Sequence, residues 1–188
     1  MTYHFKIRTD DMPAEMHGLL SQYPREDWET HPGFKEKTRH WLGAHRMFRQ
    51  LGKIVRKDVE AYLDRKIGSD AFAGRFSYYG DALVRNLHGH HGWEDHEYFP
   101  ELSAADSRFD AGLEILETDH ADLDKVLDDF VRTGNRTIKL TQLDEQAAFD
   151  EAGELHEVAT AIEAFLKRHL GDEEDLAVPI ILHHRLRG

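Results

Sequence analysis

The 188-residue chain contains no cysteine. That absence excludes disulfides, zinc ribbons, iron–sulfur clusters, thiolate nucleophiles and blue-copper sites. Imidazole and carboxylate remain as the strong metal-binding side chains. Proline is scarce too, with five residues at positions 13, 24, 32, 100 and 179. Three of them fall early, so the two long gaps on either side of Pro100 are open to helix. Basic residues number 24 against 36 acidic ones, a formal net charge of −12. A surface of that sign repels phosphate backbones and anionic lipid, so neither nucleic acid nor a membrane is an expected partner. No eighteen apolar residues run together, and the start, MTYHFKIRTDDM, lacks a basic segment followed by an apolar core and a cleavage site. A cytoplasmic protein is the expectation, with no protein partner indicated.

Apolar residues recur at helical spacing over most of the chain. Trp41, Ala44, Phe48, Leu51, Val55, Val59 and Tyr62 trace a first stripe, predicting a helix over about 36 to 66. Ser69 or Asp70 can cap a second, running to about 102, with Phe72, Phe76, Tyr79, Leu83, Leu87, Tyr98 and Leu102 on one face. Leu113, Leu116, Leu123, Leu127 and Phe130 mark a third over about 108 to 132, stopped by Gly134 and Asn135. The fourth lies between 143 and 177, carries Leu143, Phe149, Leu155, Ala159, Ile162, Phe165, Leu166 and Leu176, and ends before Pro179. Short connections favour antiparallel neighbours. The expected fold is all-α: an up-down-up-down antiparallel four-helix bundle over 35–188, preceded by an irregular arm, 1–34, with one short helix.

Histidine is abundant, with fourteen residues. His45, His90, His120 and His169 each fall on the apolar face of a different helix, where an unsatisfied imidazole is costly. Counted from the common end of the bundle, the four lie about 8 to 12 residues in; at about 1.5 Å rise per residue they share one layer within a few ångströms. Glu94 and Glu173 follow His90 and His169 by one turn, and His91 lies one turn before Glu94. Seventeen glutamates among fourteen histidines give about one His-x-x-x-Glu pair by chance, and two occur. Spacing alone is therefore weak, and the information lies in the shared layer. Five imidazoles (His45, His90, His91, His120 and His169) and two carboxylates (Glu94 and Glu173) are more ligands than one ion needs, so two metal ions are expected. The competing reading is a set of core histidines hydrogen-bonded to buried carboxylates. The other nine histidines are expected in the terminal segments (His4, His17, His31, His183, His184) or off the inward stripes and solvated (His40, His88, His96, His156).

The segments WLGAHRMF, LHGHHGWEDHEYFPEL, LETDHADLDKVL and FLKRHLGDEEDLAVPII resemble the hemerythrin family, specifically the bacterial hemerythrin-like HHE cation-binding domain. The resemblance spans about 36 to 181 and implies a four-helix bundle around a non-haem centre of two iron ions, carboxylate- and oxo- or hydroxo-bridged. His45, His90, His120 and His169 match the single-histidine positions, and Glu94 the bridging glutamate. Three departures stand out. Asp124 occupies the place where oxygen carriers have a second histidine on the third helix. Carrier spacing would select Glu174 as the last carboxylate where the one-turn geometry selects Glu173. His91 stands where an iron-sensing relative has a glutamate ligand, and an imidazole there could replace the missing one. The expected activity is binding of O2, peroxide or nitric oxide, as sensor, scavenger or peroxide-consuming protein. An iron sensor or store without turnover is the alternative.

Overall fold

The computed structural model describes Arg8 and residues 10–186; His4 lies outside the described residues. Among the described residues every regular element is helical. The order is α1 (Ala14–Gln22), a 3-10 turn (Arg25–Thr30), α2 (Glu36–Leu63), α3 (Ser69–Trp93), a π-turn (Glu94–Tyr98), α4 (Phe99–Ala105), a 3-10 turn (Ser107–Phe109), α5 (Asp110–Thr141) and α6 (Glu145–His184). None of these helices is long and apolar enough to cross a membrane. The chain forms an all-α bundle whose four long helices each contribute a segment to two compact units.

The first unit contains Phe48–His88 and Asp122–Leu166. Its aromatic core centres on Tyr62, which stacks on Phe72 at 4.5 Å and on Phe149 at 4.8 Å. Contacts step in opposite directions along neighbouring helices. Asp58 pairs with Arg75 while Tyr62 meets Phe72, Arg56 pairs with Glu163 while Tyr62 meets Phe149, and Phe76 meets Phe130 while His88 pairs with Asp124. Consecutive helices therefore run antiparallel here.

Two expectations fail in this unit. Gly134 and Asn135 do not stop the third long helix, which continues to Thr141. A β-carbon at Gly134 would sit 2.4 Å from Phe76 Cε1, so the glycine makes room for an aromatic ring within the helix and ends nothing. Leu143, expected on the inward stripe, is 71% exposed in the turn before α6. Asp144 caps that helix instead, accepting from the Ala147 N–H at 3.1 Å.

The second unit contains Arg8–Met47, Gly89–Ala121 and the chain from Lys167 onward. Its core joins Met12, Met16, Leu19 and Trp28 to Trp41, Phe99, Leu102, Leu113 and Leu116, and to Leu176–Leu182. Pairs such as Trp41 with Glu94 and His45 with His90, or Gly112 with Leu176 and Asp119 with His169, again run antiparallel. The segment expected as an irregular arm carries α1 and a 3-10 turn, and buries four large apolar side chains. Pro179 does not end α6, which runs on to His184. A proline inside a helix costs about 3 kcal/mol, and each large apolar side chain buried returns about 1.5–3 kcal/mol. Leu176, Val178, Ile180, Ile181 and Leu182 are all at most 2% exposed, so packing outweighs the break.

The second long helix is not uniform either. A wide turn over Glu94–Tyr98, with the Phe99 N–H bonded to the Glu94 carbonyl five residues back, precedes Pro100. Proline supplies no N–H and crowds the carbonyl one turn behind it, and the widened turn accommodates both.

Candidate metal centre

All seven expected ligands lie in the second unit and come together. Donor atoms from His91, His120 and His169 fall within 4.8 Å of one another, as do those from His45, His90 and Glu94, and those from Glu94, His120 and Glu173. The two carboxylates thus stand between a pair of imidazoles and a trio. In the pair, His45 Nε2 is 3.0 Å from His90 Nε2, and His90 Nε2 is 2.9 Å from Glu94 Oε1. In the trio, the His91 and His120 rings stack at 4.0 Å, and His169 approaches His120 edge-on at 4.8 Å. Glu173 Oε2 lies 3.4 Å from His45 Nε2 and 3.8 Å from His169 Nε2, bridging pair and trio.

An outer ring of acids turns three imidazoles the same way. His45 Nδ1 is 3.1 Å from Glu174 Oε1, His120 Nδ1 is 2.7 Å from Asp95 Oδ1, and His169 Nδ1 is 3.4 Å from Asp119 Oδ2. A carboxylate only accepts, so each Nδ1 carries the proton and each Nε2 presents its lone pair inward. Glu174 is therefore placed behind His45, with Arg25 on its other oxygen at 2.8 Å. Asp119 likewise binds Arg8, at 3.1 Å. Trp41 Nε1 donates to Glu94 Oε1 at 2.7 Å.

Electrostatics separates the two carboxylates. Burial and the neighbouring Glu94 charge push the Glu173 carboxyl well above its usual range. Burial acts on Glu94 in the same direction, but the His45 and His90 imidazoles hold it well below. Burial and the facing His120 and His169 rings drive His91 far down, and burial pushes His169 down to about 4. Burial opposes the Asp119 charge as well, yet His169 and Arg8 hold its carboxyl low.

The donor set fits a metal. Both ring nitrogens of His91, Nε2 of His120, Oε2 of Glu94 and both oxygens of Glu173 are buried and make no hydrogen bond to any described residue. Buried polar atoms are ordinarily satisfied, and six orphaned donors in one place are what a cation would repair. The family model for the hemerythrin HHE cation-binding domain matches residues 36–184. The chain belongs to that family. No curated protein and no solved structure gives a significant match. In this hemerythrin-family chain the clusters of histidine and glutamate just described could hold a cation.

Among the other histidines, His17, His40, His88, His96 and His183 are exposed, while His31 and His184 are half-buried. His88 pairs at 3.2 Å with Asp124. His156 departs from expectation: it is half-buried, with Nε2 shielded from solvent. Sequence reasoning missed the outer ring. Asp95, Asp119 and Trp41 each lie beside or one turn from a candidate ligand, but an acid next to a histidine reads equally well as solvated surface.

Proposed function

We propose that the chain is a non-haem di-iron protein that binds O2, peroxide or nitric oxide, as a sensor, a scavenger or a peroxide-consuming protein. The observation that carries this is the division of five imidazoles into a pair and a trio with two carboxylates between them. His45 and His90 would hold one iron, His91, His120 and His169 the other, and Glu94 and Glu173 would serve both. Iron bound there supplies redox electrons and a coordination position for a small ligand. This chain's residues do the rest. Glu174, Asp95 and Asp119 fix the tautomers of His45, His120 and His169, while the buried Phe99 ring stacks on His120 at 5.5 Å. The pair offers one imidazole fewer than the trio, and His90 is the only ring of the five that lines a cavity of about 650 Å³. The small ligand is thus expected on the His45–His90 side. The reading includes a cytoplasmic chain apart from nucleic acid and membrane surfaces, which its net charge of −12 favours.

Elemental analysis of purified protein, followed by anaerobic titration with O2, peroxide and nitric oxide under absorption spectroscopy, tests the proposal. Two irons per chain and a ligand-dependent visible spectrum are expected; a colourless, iron-free protein would overturn it. A second reading, iron sensing or storage without turnover, is favoured by the orphaned buried donors, whose satisfaction by metal stabilises the fold. It predicts extensive melting on chelation and no consumption of peroxide.

A further inference from the structure

Tyr98 closes the π-turn and is 3% exposed, and its hydroxyl makes no hydrogen bond to any described residue. The ring cannot swing out to find one. Trp93 stacks on it at 4.8 Å with planes 20° apart, and Trp41 packs against it at 5.5 Å. Residues five apart stack in this way because the turn between them is wide. Trp41, holding one side of the tyrosine, is the residue that donates to Glu94. Burial, then the Glu173 and Glu94 charges, raise the Tyr98 hydroxyl well above the ordinary phenol range, so it keeps its proton. Trp41, Trp93 and Tyr98 also line the cavity that reaches His90. A clamped, unpartnered donor thus belongs to a residue that lines the cavity reaching His90.

We propose that the Tyr98 hydroxyl donates a hydrogen bond to the small ligand taken up at the centre, favouring ligands that present an acceptor atom. The assignment rests on the iron reading above. A donor placed inside a dry site discriminates strongly, because a ligand that cannot accept leaves the hydroxyl unsatisfied.

Azide is the probe. Wild-type and Tyr98→Phe proteins are loaded with iron, their iron content and helicity compared, azide affinity measured by absorption, and the infrared stretch of bound azide recorded in H2O and D2O. Equal iron content, a dissociation constant raised about tenfold, as expected for one lost hydrogen bond, and a solvent-isotope shift present only in the wild type are expected. Unchanged affinity with the isotope shift retained in Tyr98→Phe would overturn the assignment and leave the iron reading standing. Azide that leaves the spectrum of the iron-loaded wild type unaltered would overturn both. Should Tyr98→Phe lose iron, protein carrying fluorinated tyrosine supplies a stronger donor with the ring retained. The azide stretch should then move further, and a stretch that stays in place would count against Tyr98.

Discussion

The imidazole rings of His91 and His120 lie nearly parallel, 9° apart, with their centroids separated by 4.0 Å. One ring comes from α3 and the other from α5, and His169 of α6 meets both edge-on. Neither nitrogen of His91 has a hydrogen-bond partner among the described residues, and its 3% exposure leaves no solvent to supply one. His91 is the strongest point of departure for testing the centre. His91→Ala is expected to lower the iron content, measured by elemental analysis, while His88→Ala and His96→Ala leave it unchanged. Equal loss in all three would separate iron content from this cluster.

The adjacent acids Glu173 and Glu174 should behave differently. Glu173 stands between imidazoles of both groups, whereas Glu174 holds His45 from behind. Glu173→Gln is expected to strip most of the metal. Glu174→Gln should retain it with affinity lowered roughly 10–100-fold, the usual effect of losing an outer carboxylate, measured by competition with a chelator. The reverse order would make Glu174 the ligand.

The metal-free protein should lose stability as pH falls. His91 and His169 have folded-state values depressed below 6.5, so the unfolded chain takes up protons that the fold refuses. Glu173 opposes this, since its value is raised above 4.5 and the fold keeps a proton that the unfolded chain releases. Two imidazoles outweigh one carboxyl. Between about pH 6.5 and 4.5 unfolding therefore takes up protons on balance, and stability falls as pH falls. Calorimetry of metal-free protein should show its melting temperature falling across that window. A flat profile would mean that the centre relaxes when empty.

Gly134 offers a test remote from metal chemistry. Gly134→Ala gains about 1 kcal/mol of helix propensity, but its β-carbon meets the buried Phe76 ring, and overpacking of this kind costs about 1–3 kcal/mol. A net loss of order 1 kcal/mol is expected in urea denaturation, with iron content unchanged.

The periodic stripes made the four long helices legible, because burial on one face dictates a period near 3.6 residues. They also carried His45, His90, His120 and His169, and one-turn spacing added Glu94, Glu173 and His91. Local breakers misled at Gly134 and Pro179, where tertiary contacts with Phe76 and the Leu176–Leu182 core decide the outcome. Met12, Met16 and Leu19 form a short inward stripe that three nearby prolines obscured. The choice between Glu173 and Glu174 was open because both lie near the inward face. Contacts with distant residues separate them: Glu173 faces His45 Nε2 and His169 Nε2, whereas Glu174 takes His45 Nδ1 and Arg25.

Arg8 and Arg25 lie before residue 36, where the family match begins, yet each grips an acid that steers an imidazole: Asp119 behind His169, and Glu174 behind His45. Coupling through such contacts is reciprocal. Whatever affinity for metal the arginines confer by seating those acids, bound metal returns as adhesion of the leading segment to the bundle. Loading of the centre and docking of that segment then favour one another, each strengthening the other by the same factor.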